Sequence, residues 1–143
     1  MPSTHSGVVV GADGSPEAQL AIEWAAREAV LHGVPLTLAH VHAGAQAWTW
    51  YEVSHFTELA QIAEQRGREI LRQATNAAER ATADSGPLTI SERTVEGNAV
   101  SALADLSKDA EMVVVGSRGL GTAGRALLGS VSAGVPVIVK RQP

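Results

Sequence analysis

Gly116, Gly119, Gly129 and Ser130 are spaced G-x2-G-x9-G-S within VVVGSRGLGTAGRALLGSV, Val113 to Val131, directly after the apolar run Met112 to Val115. Glycines let the main chain approach a ligand and adopt positive φ. Successive backbone N–H groups can then turn into one concavity and bind phosphate. Ser130 would open the following helix, whose unpaired N–H groups and dipole favour negative charge. Arg118 and Arg125 are interleaved with the glycines and add cationic donors. The chemistry open to this pattern is anion binding, and the expected ligand is a nucleotide. A glycine-rich stretch is often only a surface loop. The preceding strand, the second cluster at a fixed distance and the two arginines weigh against that reading.

Two other phosphate motifs are excluded. No G-x-x-x-x-G-K-[ST] occurs in the chain. Gly119 to Gly124 matches G-x-G-x-x-G by letter, but it follows the fourth predicted strand, whereas the dinucleotide fingerprint follows the first.

The elements that must position these residues alternate. Val8 to Val10 reads as strand one, and Gly11-Ala12-Asp13-Gly14 turns the chain. Ser15 is placed as an N-cap, Pro16 at the first helical position and Glu17 at the positive end of a first helix that Gly33 stops. Val34 to Val41 reads as strand two. A long helix spans about His55 to Ala83, with Leu59, Ile62, Ala63, Ile70, Leu71, Ala74, Ala77 and Ala78 as its buried stripe and Gly67 as a weak point. Leu88 to Val95 is strand three, Asn98 caps a third helix through Leu106, Met112 to Val115 is strand four and Val135 to Val139 strand five. This order predicts a single-domain α/β fold over residues 1–143: a doubly wound, Rossmann-like, five-stranded parallel sheet with helices on both faces. Ligands of such sheets bind at the carboxyl ends of the strands, at the switch point. Asp13, Val41 and Gly116 all fall at such ends.

A chain of 143 residues is long enough for a full core, and with 45% hydrophobic but only 3% aromatic residues that core must be aliphatic. The net charge of −4 argues against nucleic acid as a partner. With no cysteine there is no disulfide or thiol chemistry. No signal peptide or apolar run of membrane-spanning length is seen, so a cytoplasmic protein without membrane contact is expected.

The sequence resembles the universal stress protein family, of the ATP-binding subtype, over essentially its whole length. VVVGADGSPEA, LTLAHVHA and VVVGSRGLGTAGRALLGSVS carry the resemblance, and the last holds the family's glycine-serine signature. The resemblance implies that Asp13 faces the ribose hydroxyls, with Gly11 and Ala12 near the sugar and phosphates. It implies that the main chain of Val41 pairs with the adenine edge. Gly116, Ser117, Arg118 and Gly119 would line the ribose and phosphate path, and Gly129, Ser130 and Val131 would hold the terminal phosphates. ATP is the implied ligand, with AMP or cyclic AMP as alternatives and magnesium or manganese entering only through bound phosphates. A homodimer through strand five, Val135 to Val139, is also implied, and the apolar edge of that strand points the same way.

One departure stands out. Only 18 residues lie between Ser117 and Gly134 inclusive, and the glycine loop uses most of them. A parallel crossover needs about a dozen residues or more, so roughly one to two helical turns are lacking. Either this stretch is rebuilt or residues are missing from it; the second is preferred, because a parallel strand five is hard to reach with so little chain.

No catalytic residue can be named, so a nucleotide-binding signalling module is the leading reading. A slow ATPase with Arg118 or Arg125 stabilising charge, and a dimerisation module with a vestigial site, are the alternatives. His40 and His42, two apart at the end of strand two, are expected on opposite sides of the sheet, and no three ligands have metal spacing. Trp48, Trp50 and Tyr51 are expected to cover the long helix, with a lid or partner site as the alternative.

Overall fold

The computed structural model describes residues 7–42, 56–116 and 137–140. Strand β1 is Gly7–Gly11, helix α1 Pro16–His32, β2 Leu36–His42, α2 Phe56–Ala81, β3 Ile90–Glu96, α3 Ala99–Ser107, β4 Ala110–Val115 and β5 Val137–Lys140. The strands lie in the order β3-β2-β1-β4-β5. β1 pairs in parallel with β2 and with β4, and β2 in parallel with β3. β5 runs antiparallel to β4, with Val113 opposite Val139 and Val115 opposite Val137.

The parallel sheet therefore has four strands, not the expected five. An antiparallel neighbour needs no crossover helix, so the shortage of chain before the last strand is met by reversing that strand. The expected missing residues concern the stretch from Ser132 to Val135, which lies outside the described residues, as do Val135 and Pro136 of the expected dimer strand.

The continuous apolar run of β1 explains why it is central. Val8, Val9 and Val10 are all fully buried, so both faces of the strand are covered. Val8 and Val10 join Leu36, Leu38, Met112 and Val114 in a core shared with α1 and α2. Val9 joins Ala39, Val113 and Val115 in a second core under Leu103 and Leu106 of α3. Helices thus cover both faces, as expected. The buried face of α1 is Ala18, Ala21, Ile22, Ala25, Ala26 and Ala29, and these small side chains let the helix lie close to the sheet.

Helix α2 has 26 residues, about 39 Å of helix. β2 has seven residues, about 23 Å of strand. The helix must overhang the sheet. Ile70, Leu71, Ala74, Ala77 and Ala78 are buried as expected, but Ile62 is 60% exposed. The helical period of the stripe runs on past the point where there is sheet to cover.

Candidate functional site

The strand order brings the carboxyl ends of β2, β1 and β4 side by side. The chain leaves β1 for a helix on one face and reaches β4 from a helix on the other. That is the switch point of a doubly wound sheet.

The turn between β1 and α1 is held at Ala12, Asp13 and Ser15. Ala12 is buried, and its N–H donates to the Ala39 carbonyl at 2.8 Å. Its own carbonyl lies 2.9 Å from Nδ1 of His40. Asp13 is exposed, and its Oδ1 accepts the Ser15 N–H at 2.9 Å. Gly14 has φ +84°, where a side chain would be strained. Ser15 is extended, and its Oγ accepts the Ala18 N–H at 3.0 Å, with Pro16 in the first turn. The cap at Ser15, the proline and the Gly33 terminator are where the sequence placed them. Ser15→Ala removes the cap and leaves the Ala18 N–H without it; we expect a loss of about 1 kcal/mol in stability by urea denaturation. An unchanged midpoint would show that the cap is dispensable.

One carboxylate oxygen of Asp13 is thus committed to holding the turn. The other makes no hydrogen bond among the described residues. Beside it, the β1–β2 ladder ends at Gly11 opposite Ala39, whereas β3 stays paired with β2 through His42. Val41 therefore lies beyond the reach of β1, at a strand end whose main chain can meet a ligand.

Gly116 follows β4 directly, and its environment differs from the one expected. A Cβ built there would lie 2.7 Å from the Glu17 carbonyl carbon and 2.8 Å from the Ala18 nitrogen. Gly116 is small because the first turn of α1 packs on it. Gly11 has ordinary contacts only, the nearest being Leu103 and Val115 at 3.9 Å. The structure therefore brings Gly11, Ala12, Asp13, Val41 and Gly116 to one end of the sheet. Ser117, Arg118, Gly119, Arg125, Gly129, Ser130 and Val131 lie outside the described residues, as do Trp48, Trp50 and Tyr51.

Two features were missed in the sequence. A cleft between α1 and α2 is lined by Ala12, Gly14, Ser15, Ala18 and Ile22 on one side and by Ile70, Ala74 and Ala77 on the other, with Gln19 and Gln73 as its amide side chains. It meets the predicted site only at Ala12. Small residues on facing sides of two helices are the signal that could have found it. The second is that His40 and His42 share a face. Their rings stack at 6.4 Å between centroids, tilted by 24°, because residues two apart on a strand point the same way. Opposite sides, as expected above, hold for adjacent strand residues and not for residues two apart.

Two titratable groups of α2 shift together. The Arg72 guanidinium, and then the Gln73 amide, hydrogen-bond the Glu69 carboxyl and hold it below its usual range, while Arg72 is raised by the same pairing. Both belong to the solvent face of α2, where such a pair adds little. Among the described residues no three His, Asp or Glu side chains gather as a metal site, and no helix is long and apolar enough to cross a membrane.

Residues 6–135 match the Universal stress protein family. A universal stress protein of Mycobacterium tuberculosis H37Rv is 41% identical over 129 residues, an alignment that covers 90% of this chain and 43% of that protein. The chain spans about half the length of the curated relatives it matches. Among solved structures, a universal stress protein in complex with cAMP is 32% identical, with a TM-score of 0.59 over 90% of this chain and 85% of the other. UspA of Lactobacillus plantarum superposes with a TM-score of 0.64 at 20% identity over 90% and 88%, a likeness of fold.

Proposed function

Because this chain belongs to the universal stress protein family, we propose that it binds an adenine nucleotide across the carboxyl ends of β1, β2 and β4. The observation that carries this reading is the Asp13 turn. One Asp13 oxygen is fixed by the Ser15 N–H at 2.9 Å, which leaves the other for ribose hydroxyls on a preorganised support. Val41, past the end of the β1 ladder, offers main-chain groups to the base. The relative bound to cAMP supports the same ligand class. Cyclic AMP and ATP share adenine and the ribose 2′-hydroxyl; the 3′ oxygen is a hydroxyl in ATP and is esterified in cAMP.

ATP is the ligand we propose, in the subtype marked by the glycine-serine signature. Ser117, Arg118, Gly119, Arg125, Gly129, Ser130 and Val131 would hold its phosphates, and magnesium or manganese would enter with them. The chain would act as a stress-response binding module, coupling occupancy to a homodimer or partner. No residue is assigned to hydrolysis.

Calorimetry with ATP and with cAMP tests the assignment. Asp13→Ala removes a charged acceptor worth about 1.5–3 kcal/mol, so affinity for both ligands is expected to fall by at least about tenfold. Gly119→Val should block the phosphate path and weaken ATP more than cAMP. Unchanged ATP affinity in both variants would remove the site from this end of the sheet.

A further inference from the structure

We propose that His40 is a positioning residue for nucleotide binding: its Nδ1–H anchors the carbonyl of Ala12 and thereby sets the place of Asp13. The inference rests on the adenine-nucleotide reading above, but its geometry stands independently. Nδ1 of His40 lies 2.9 Å from the Ala12 oxygen. A carbonyl oxygen can only accept, so Nδ1 must carry a proton. In the neutral ring Nε2 is then the unprotonated nitrogen.

The ring is held from a second side. A Cβ built on Gly67 of α2 would lie 3.1 Å from Cδ2 of His40 and 3.4 Å from Nε2. The glycine that weakens α2 is thus the groove in which the imidazole edge sits. His42 stacks on the same ring. Two neighbouring elements therefore hold one imidazole, α2 and the β1–α1 turn that carries its hydrogen-bond partner. That partner immediately precedes the carboxylate assigned to ribose.

The contact also solves a local problem. The Ala12 N–H is used by the Ala39 carbonyl, but the ladder ends there. A buried carbonyl without a partner is costly. A side chain of β2 takes over where its main chain no longer reaches.

The test uses two substitutions at one position. His40→Leu keeps an apolar side chain of similar bulk and loses the donor. His40→Asn retains a donor, because the asparagine amide can stand close to the place of Nδ1. ATP affinity by calorimetry is expected to fall about tenfold in His40→Leu, as for a lost hydrogen bond, and to return to within about threefold of the parent in His40→Asn. Hydrogen exchange at the Ser15 amide, which Asp13 holds, should speed up in the leucine variant and recover in the asparagine variant. In the parent, ¹⁵N shifts should show a protonated Nδ1. Equal ATP affinity in both variants, or an unprotonated Nδ1 in the parent, would overturn the proposal. If Asp13→Ala leaves ATP binding unchanged while the two His40 variants still differ in Ser15 exchange, the nucleotide site has failed and the His40 anchor has not; equal Ser15 exchange in the two His40 variants sinks the anchor itself.

Discussion

Gly116→Ala is expected to destabilise the fold by about 3 kcal/mol, the upper range for forcing a methyl group into a packed site. The new Cβ would meet the Glu17 carbonyl carbon at 2.7 Å and the Ala18 nitrogen and Glu17 oxygen at 2.8 Å. All three atoms are main chain. They belong to the first turn of α1, which is fixed by the Ser15 cap and by the burial of Ala18, Ala21 and Ile22. No rotamer change can clear the contact, so helix and strand end must separate. Urea denaturation would show this as a midpoint lower by about 1–3 M at ordinary slopes. Ala18→Gly in the same chain should give no rescue, because the clash is with backbone. A midpoint within about 0.3 M of the parent, well inside the shift that slope predicts, would mean that β4 does not end against α1 as described.

The second large effect is expected at the other end of β1. Gly7 has φ +69°, and a Cβ there would collide with the Pro35 oxygen, the atom that accepts the Val8 N–H at 3.0 Å. Gly7→Ala thus combines left-handed strain with a backbone collision and breaks the hydrogen bond that starts the β1–β2 pair. We expect a loss of at least about 3 kcal/mol, the sum of strain and overpacking. Gly33→Ala is the control. Gly33 has a similar φ of +64°, but nothing lies within 4 Å of its added Cβ. Strain alone remains there, about 1 kcal/mol. If the two variants melt together, conformation rather than contact explains Gly7.

These three glycines show where the sequence could be read and where it could not. Gly33 was legible because a helix terminator is a local matter: its N–H closes on Ala29 and Val30 within one turn. The caps at Ser15 and Asn98 were legible for the same reason, and Asn98 accepts the Ser101 N–H at 3.1 Å. Gly116 was read as room for a ligand. Its neighbour is a helix about a hundred residues earlier in the chain, and no local pattern reports that. The direction of β5 was equally hidden, since VIVK pairs as well either way; only the length of chain before it carried information. Ile62 fits the helical period, but the period says nothing about where the sheet ends. The places of Asp13 and Val41 at strand ends were legible because strand ends in an alternating fold are predictable. The His40 anchor was not, since Gly67 lies on a different element.

The two borders of the sheet are unlike. β3 is the outer strand on one side, and Ser91, Glu92, Arg93 and Thr94 along it are all exposed. Glu92 is further engaged by the Thr75 hydroxyl at 2.7 Å. A border carrying charge in this way resists the addition of another strand. β5, on the far side, consists of three aliphatic residues and a lysine. A molecule with two receptive borders can recruit neighbours without end and grow into a fibre. A molecule with one can join a single copy of itself about a two-fold axis, and is then finished. If β5 pairs with a second copy as proposed, the charges of β3 leave the opposite border unsuited to adding a further strand.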